Sequence, residues 1–255
     1  MALAIETRGL TRRFGSFCAV DHLDLQVGRG TFYGFLGPNG AGKSTTIKML
    51  TGLLAPSEGE AFVLGHNVLD MTGALEAKRR MGVVPEDLAL FDNLTAREYL
   101  TFIGRMHLLD LETIRGRIDE LLPVLALDDD ESKLALEYSH GMKKKLALAA
   151  ALLPGPDLLF LDEPFEGVDA VTSRVIRDML HDYVRRGSTV FLTSHVLDLV
   201  EKLSTHVGII AGGRLVEQTS LEDIRQESSL EERFLAKVDA PNETARLSWL
   251  DEASP

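Results

Sequence analysis

One cysteine, Cys18, is present in 255 residues, so an intrachain disulfide and a thiolate zinc site are both excluded. That scarcity suits a reducing compartment, and Cys18 reads as a small buried apolar residue. Positive charge is also in deficit. Lys and Arg total 27 against 39 Asp and Glu, a net charge of −12. A phosphate backbone demands a basic face, so nucleic acid is not expected as the main partner. Long apolar runs are missing. The longest, residues 146–153, stops at Pro154 and is far short of a membrane span. The opening Met1-Ala2-Leu3-Ala4-Ile5-Glu6 has no basic stretch and no long apolar core, so no signal peptide is expected. No internal repeat is visible, which leaves one unit rather than two. The chain is expected to be soluble by itself, with any membrane role arriving through a partner. The 45% hydrophobic content suffices for a packed core.

The most informative stretch is Gly37-Pro38-Asn39-Gly40-Ala41-Gly42-Lys43-Ser44-Thr45. It fits G-x-x-x-x-G-K-[ST], a phosphate-binding loop. Glycines let the backbone curl so that several N–H groups face phosphate oxygens. Lys43 supplies a point charge for the β- and γ-phosphates of ATP, and Ser44 a hydroxyl for Mg²⁺. Residues 45–50 contain few breakers and should form a helix whose N-terminus favours an anion. Residues 32–36, just before, are apolar and aromatic like a buried strand. Strand, glycine loop and helix in that order is the context the motif requires; the alternative is an ordinary Gly-rich turn.

Elsewhere, residues 2–27 alternate between apolar and polar around a turn at Phe14-Gly15-Ser16 and read as antiparallel strands. Residues 56–59 are a turn, and 60–64 and 81–84 are strands. From 95 to 127 the pattern becomes helical, with Leu100, Ile103 and His107 on one face and Ile114, Ile118, Leu121 and Leu125 on another. Thr95 and Glu98 have capping-box spacing, and residues 128–131 form an acidic solvated loop. Ser139 can cap a helix running to Leu153. Residues 158–161 read as a buried strand, 170–184 as a helix, 188–192 as a strand and 195–203 as a helix. Residues 207–210 and 214–216 form a hairpin around Gly212-Gly213. A short helix follows Glu217. The unit should span residues 3–230, with a helical subdomain at about 88–153. Residues 231–255 are assigned to an acidic C-terminal tail, partly disordered over its polar stretch 240–255.

Leu158-Leu159-Phe160-Leu161-Asp162-Glu163 places two carboxylates at the end of an apolar strand, where parallel sheets bind ligands. Asp162 should hold Mg²⁺, directly or through water. Glu163 can polarise the water that attacks the γ-phosphate. The alternative is a pair of solvated carboxylates at a loop start. Tyr138-Ser139-His140-Gly141-Met142-Lys143-Lys144-Lys145 offers a second anion site at a helix start. On these residues alone a plain capped helix with a basic exposed face is preferred. His195 follows a strand end and reads either as structural or as a γ-phosphate sensor.

In order, these stations resemble the ATP-binding subunit of an ABC transporter, over residues from about 3 to 216. Residues 37–45 match the family's Walker A, and 158–163 its Walker B. Ser139-His140-Gly141-Met142 sits at the signature, Glu166-Gly167-Val168-Asp169 at the D-loop, and His195 at the switch histidine. Phe14 matches the aromatic that stacks on adenine; the alternative is a core-facing ring. Two departures stand out. His140 and Met142 replace the usual glycine and glutamine of the signature, while Ser139 and Gly141 are retained. Glu86 occupies a loop position where many members carry glutamine; it can contact Mg²⁺ or the attacking water, but adds negative charge near Glu163.

The resemblance implies an α/β fold: a P-loop NTPase core with an N-terminal antiparallel β layer and an inserted helical subdomain. It implies ATP hydrolysis with Mg²⁺, and a dimer in which Ser139 and Gly141 complete the partner's site. The closest likeness is to exporter ATPases whose permease is a separate chain. That permease is expected to dock near Leu88, Leu90 and Phe91, exposed apolar residues in a surface loop, although Leu90 and Phe91 could instead cap the helical core. The chain would then be cytoplasmic, peripheral on the inner face of the cell membrane. Two other readings are weighed. A soluble ABC-type ATPase acting on ribosome or DNA is disfavoured by the acidity and the single unit. A small-molecule kinase leaves Ser139 and His195 without a role.

Overall fold

A computed structural model describes residues 2–238. Its centre is a six-stranded sheet in the order β11-β10-β4-β9-β8-β7. The strands are β4 (Phe32–Leu36), β7 (Met81–Val84), β8 (Leu158–Asp162), β9 (Thr189–Thr193), β10 (His206–Ala211) and β11 (Arg214–Ser220). The five from β10 to β7 are parallel, and β11 closes the edge antiparallel to β10. β4, β8 and β9 are buried at every position. This follows from the apolar runs at 32–36, 158–161 and 190–192, the pattern of strands covered on both faces, with Asp162, Thr189 and Thr193 as buried polar residues at the strand ends. A second, antiparallel sheet joins β1 (Leu3–Phe14), β2 (Phe17–Leu23), β3 (Gln26–Gly28), β5 (Glu58–Val63) and β6 (His66–Asn67).

Side chains alternate across the central sheet, as the two-residue period requires. Phe32 and Leu36 join one core with the helices, whereas Tyr33 and Phe35 join another beneath the antiparallel sheet. In the second core Phe191 of β9 packs on Tyr33, Phe35 and Phe160, with ring centroids 5.5, 5.3 and 5.6 Å away. Such pairs contribute about 0.5–1.5 kcal/mol each beyond their area. They span β4, β9 and β8, holding the register in which Phe35 lies beside Thr193 and Thr193 beside Asp162. The ends of three strands distant in sequence are thereby brought level.

Nine α-helices occur among the described residues: α1 (Lys43–Leu50), α2 (Met71–Arg79), α3 (Ala96–Met106), α4 (Leu111–Val124), α5 (His140–Leu152), α6 (Ala170–Arg185), α7 (Leu197–Leu203), α8 (Leu221–Glu227) and α9 (Leu230–Lys237). The expected capping box of Thr95 and Glu98 starts α3. The helical stretch 95–127 is two helices, because Leu108 turns left-handed at φ 61 and Asp110 caps a new start by accepting from the Thr113 amide. α2 was not anticipated; it has a single buried residue, Ala77, and so little apolar period to read. The helix expected from residue 195 begins at Leu197, since the Val196 amide donates to Ser194 Oγ at 3.1 Å in a preceding turn. Cys18 is half-buried rather than buried, with its thiol 3.3 Å from the Val20 carbonyl. The first residues of the assigned tail form α9, which Leu230 anchors in the core. The stretch 240–255, expected to be poorly ordered, lies outside the described residues.

Candidate functional site

The loop between β4 and α1 curls through Gly40 at φ 79 and Gly42 at φ 106, conformations that favour glycine. A Cβ on Gly42 would lie 2.4 Å from the Ala19 carbonyl, so only glycine fits. Lys43 folds back across the loop and donates from Nζ to the carbonyls of Gly37 at 2.7 Å and Pro38 at 3.2 Å. Burial pushes its pKa below the usual lysine value, opposed in part by the negative charge of Glu163, Asp162 and Glu86. An ammonium held there can exchange two backbone carbonyls for phosphate oxygens.

An open cleft of about 520 Å³ lies in front of this loop. Asn39, Gly40, Gly42, Lys43, Ser44 and Thr45 of the loop line it together with Glu86, Asp162, Glu163 and His195. Gly37, Pro38 and Ala41 belong to the loop but do not line the cleft. Ser44 Oγ donates to Glu86 Oε2 at 3.3 Å. Asp162, 3% exposed, accepts from the Thr193 hydroxyl. Glu163 stands one residue beyond β8 at φ 48, a conformation costing about 1–3 kcal/mol in a non-glycine residue. Its amide donates to the Thr193 carbonyl at 3.2 Å. Its Oε1 lies 3.0 Å from His195 Nδ1. Strain at this residue thus coincides with a carboxylate aimed at a histidine over the phosphate loop.

Ser44, Asp162 and Glu86 are hard oxygen donors lining the same cleft. Among the described residues no group of three or more His, Cys, Asp or Glu side chains could hold a metal by itself. That donor set fits Mg²⁺ completed by phosphate oxygens, the usual arrangement for that ion, rather than an all-protein cage.

The cleft also has an aromatic part. Phe14 and Phe17 pair across the β1–β2 turn and are half-exposed, and both line the cleft with Ala19. The Arg12 guanidinium lies 4.5 Å from the centroid of Phe14. Phe14 therefore faces the cleft rather than the core. Phe17 and Ala19 line the cleft without having been singled out in the sequence; Glu166, set at the D-loop by the resemblance, also lines it, and Thr193 reaches the site through its bond to Asp162. The hairpin turn at Gly15-Ser16, flanked by two phenylalanines, was the available signal for Phe17.

The remaining predicted residues stand outside this cleft. Ser139 caps α5 by accepting from the Met142 amide at 3.2 Å, and Ser139 and His140 are exposed. Asp169 caps α6 by accepting from the Thr172 amide at 2.8 Å, and hydrogen bonds from Thr172 hold its carboxyl below the usual carboxylate range. The two turns touch: a Cβ on Gly141 would lie 2.3 Å from the Gly167 carbonyl. The basic face expected at 143–145 is not exposed, since Lys144 is 1% and Lys145 8% accessible. Leu88 and Leu90 pack partly buried against the helix-side core, while Phe91 is 49% exposed and meets Phe102 edge-on at 5.2 Å.

A parallel sheet with a phosphate loop, a paired carboxylate and a facing histidine at its strand ends defines a P-loop ATPase. A family model described as ABC transporter matches residues 20–166. The chain is 39% identical over 227 residues to the bacitracin transport ATP-binding protein BcrA of Bacillus licheniformis, covering 89% of this chain and 72% of that protein. It is 39% identical over 222 residues to the daunorubicin/doxorubicin resistance ATP-binding protein DrrA of Streptomyces peucetius, covering 87% and 67%. A solved structure of an ATP-binding subunit of an ABC transporter superposes with a TM-score of 0.85 at 28% identity, covering 91% of this chain and 98% of that one. The chain belongs to the ABC transporter family, as an ATP-binding, ATP-hydrolysing subunit. No helix among the described residues is long and apolar enough to cross a membrane.

Proposed function

We propose that this subunit hydrolyses ATP with Mg²⁺ to drive export through a separate integral-membrane permease. The observation that carries the proposal is the single cleft that gathers Lys43, Ser44, Glu86, Asp162, Glu163 and His195 from four separate stretches of chain. Gly37 to Thr45 wrap the phosphates, and Lys43 leaves its two carbonyls for the β- and γ-phosphates. Ser44 and Asp162, with Glu86 beside them, would hold Mg²⁺, which when bound neutralises charge on the phosphates. Glu163 is the base that orients and deprotonates the attacking water, and His195 at 3.0 Å holds its carboxylate and faces the γ-phosphate. Phe14, with Phe17, stacks on the adenine. Export is supported by the names of relatives: bacitracin transport, daunorubicin and doxorubicin resistance, and Nod factor export.

The working unit is a dimer of ATPase subunits. Ser139, His140, Gly141 and Met142, together with the Asp169 loop, lie off the chain's own cleft, and Ser139 and His140 are exposed. A helix N-terminus of this kind suits the partner's γ-phosphate. The permease docks at a second cleft of about 420 Å³ that contains Met81, Pro85, Leu88, Leu90, Tyr99 and Ile103. Phe91 stands exposed on the same loop, directly after Leu90. Glu86 joins this loop to the nucleotide cleft. The subunit would therefore sit on the cytoplasmic face of the membrane through its permease.

The deciding experiment is Glu163→Gln. The amide keeps the shape and loses the base, so kcat should fall at least about a hundredfold while ATP still binds. With ATP but not ADP, the variant should elute as a dimer on gel filtration. Near-normal turnover would remove Glu163 from the role of base, and a strictly monomeric profile with ATP would count against the shared site.

A further inference from the structure

Three consecutive lysines open the second turn of α5, and they have different fates. Lys143 is half-buried and reaches the Asp92 carboxylate at 3.2 Å. Lys145 donates to the Ala126 carbonyl at 3.0 Å. Lys144 is 1% exposed, and its Nζ donates to two carbonyls, those of Glu86 and Glu163, each at 3.2 Å. Burying an ammonium against neutral carbonyls is costly, and an apolar side chain would fill the same space more cheaply. What the ammonium provides is contact with two segments at once, 58 and 19 residues away in sequence.

Both carbonyls belong to residues whose carboxylates line the nucleotide cleft. Glu163 is also the residue held in the left-handed region, at φ 48. Its amide is tied to the Thr193 carbonyl of β9 and its carbonyl to Lys144 of α5. Its backbone is thereby fixed on both sides in a conformation it would otherwise leave. We infer that Lys144 is a positioning residue for hydrolysis: its buried ammonium clamps the backbones of Glu86 and Glu163 and so aims both carboxylates at the γ-phosphate and its water. α5 begins after Ser139, so one helix links that turn to both carboxylates. The inference rests on the reading of Glu163 as the base.

The test uses the full chain with MgATP. Lys144→Met keeps the length and removes the donors. Its kcat should fall about ten- to hundredfold, the scale on which a displacement of about 1 Å acts. KM for ATP should stay within about twofold, because the phosphate loop is untouched. A residue that only stabilises the fold would lower the melting temperature and leave kcat per nucleotide-binding chain unchanged. In a Glu163→Gln background, Lys144→Met should cost clearly less than in the unaltered chain, since one of the two carboxylates it positions has gone. Lys144→Gln retains an amide donor and should fall between Lys144→Met and the unaltered chain; if Lys144→Met fails to fold, a lowered kcat in Lys144→Gln with KM preserved supports the inference. Unaltered kcat in either folded variant, or a full further loss in the Glu163→Gln background, overturns it. Near-normal turnover of Glu163→Gln itself would overturn the base assignment instead, and the inference with it.

Discussion

Replacing Gly141 by alanine sets helix propensity against tertiary packing, and the two predict opposite signs. Gly141 is the second residue of α5. In a helix, alanine is favoured over glycine by at most about 1 kcal/mol, so secondary structure alone predicts a more stable chain. The new Cβ would lie 2.3 Å from the Gly167 carbonyl oxygen, against the 3.4 Å at which ordinary contact begins. The obstacle is backbone, and it cannot retreat freely. Gly167 sits at φ 72, the His140 ring packs beside it, and the Val168 amide is bonded to the Phe165 carbonyl. Forcing a methyl group into such a contact costs about 1–3 kcal/mol. The net expectation is a loss of about 1 kcal/mol. For a chain of this size that lowers the melting temperature by about 2–4 °C per kcal/mol. Thermal unfolding of the nucleotide-free chain, followed by circular dichroism, reads this directly. ATPase activity should fall as well, because the two turns pushed apart carry Ser139 and Asp169. A melting temperature that rises by the amount helix propensity predicts would refute the contact between the two turns.

Two further predictions concern the cleft and the loop beside it. In the free chain the pKa of Lys43 is depressed by burial, so the protonated form is penalised in the folded state below that depressed value, and the penalty disappears as pH rises through the unfolded value near 10.5. Lys43→Met should therefore be more stable than the unaltered chain at pH 7, with the difference closing above about pH 10.5, while ATP binding is lost; a stability difference that does not change with pH would contradict this. Phe91→Asp should abolish co-purification with the permease and leave ATP binding intact, because Phe91 is half-exposed. Leu90, packed on the core, is a poorer choice, and continued capture by Phe91→Asp would place the docking surface elsewhere.

How much of this could be read from the sequence varied with the physical range of each signal. The phosphate loop from Gly37 to Thr45 was legible because its geometry is local: glycines at fixed offsets, a lysine and a serine are required together, whatever surrounds them. The buried strands at 32–36 and 158–161 were legible because parallel strands covered on both faces leave no polar positions. The capping box at Thr95 was legible for the same local reason. α2 was missed because a helix with one buried residue carries almost no period.

The chemistry the chain carries was legible in its residues: a phosphate cradle, a carboxylate pair at a strand end, a histidine after another strand, and a single cysteine that leaves no intrachain disulfide. These are properties of residue type and short spacing. Only the tertiary structure decided which groups meet. The register of β4, β9 and β8 sets Thr193 between Phe35 and Asp162, and brings His195 to 3.0 Å from Glu163. Only packing sent Phe17 to the cleft beside Phe14 and turned Lys144 and Lys145 of an expected basic surface inward. Lys144 reads in sequence as one lysine among three. Its two carbonyl partners lie on other elements, and no local pattern encodes a contact that exists only once α5 has packed beneath the strand ends.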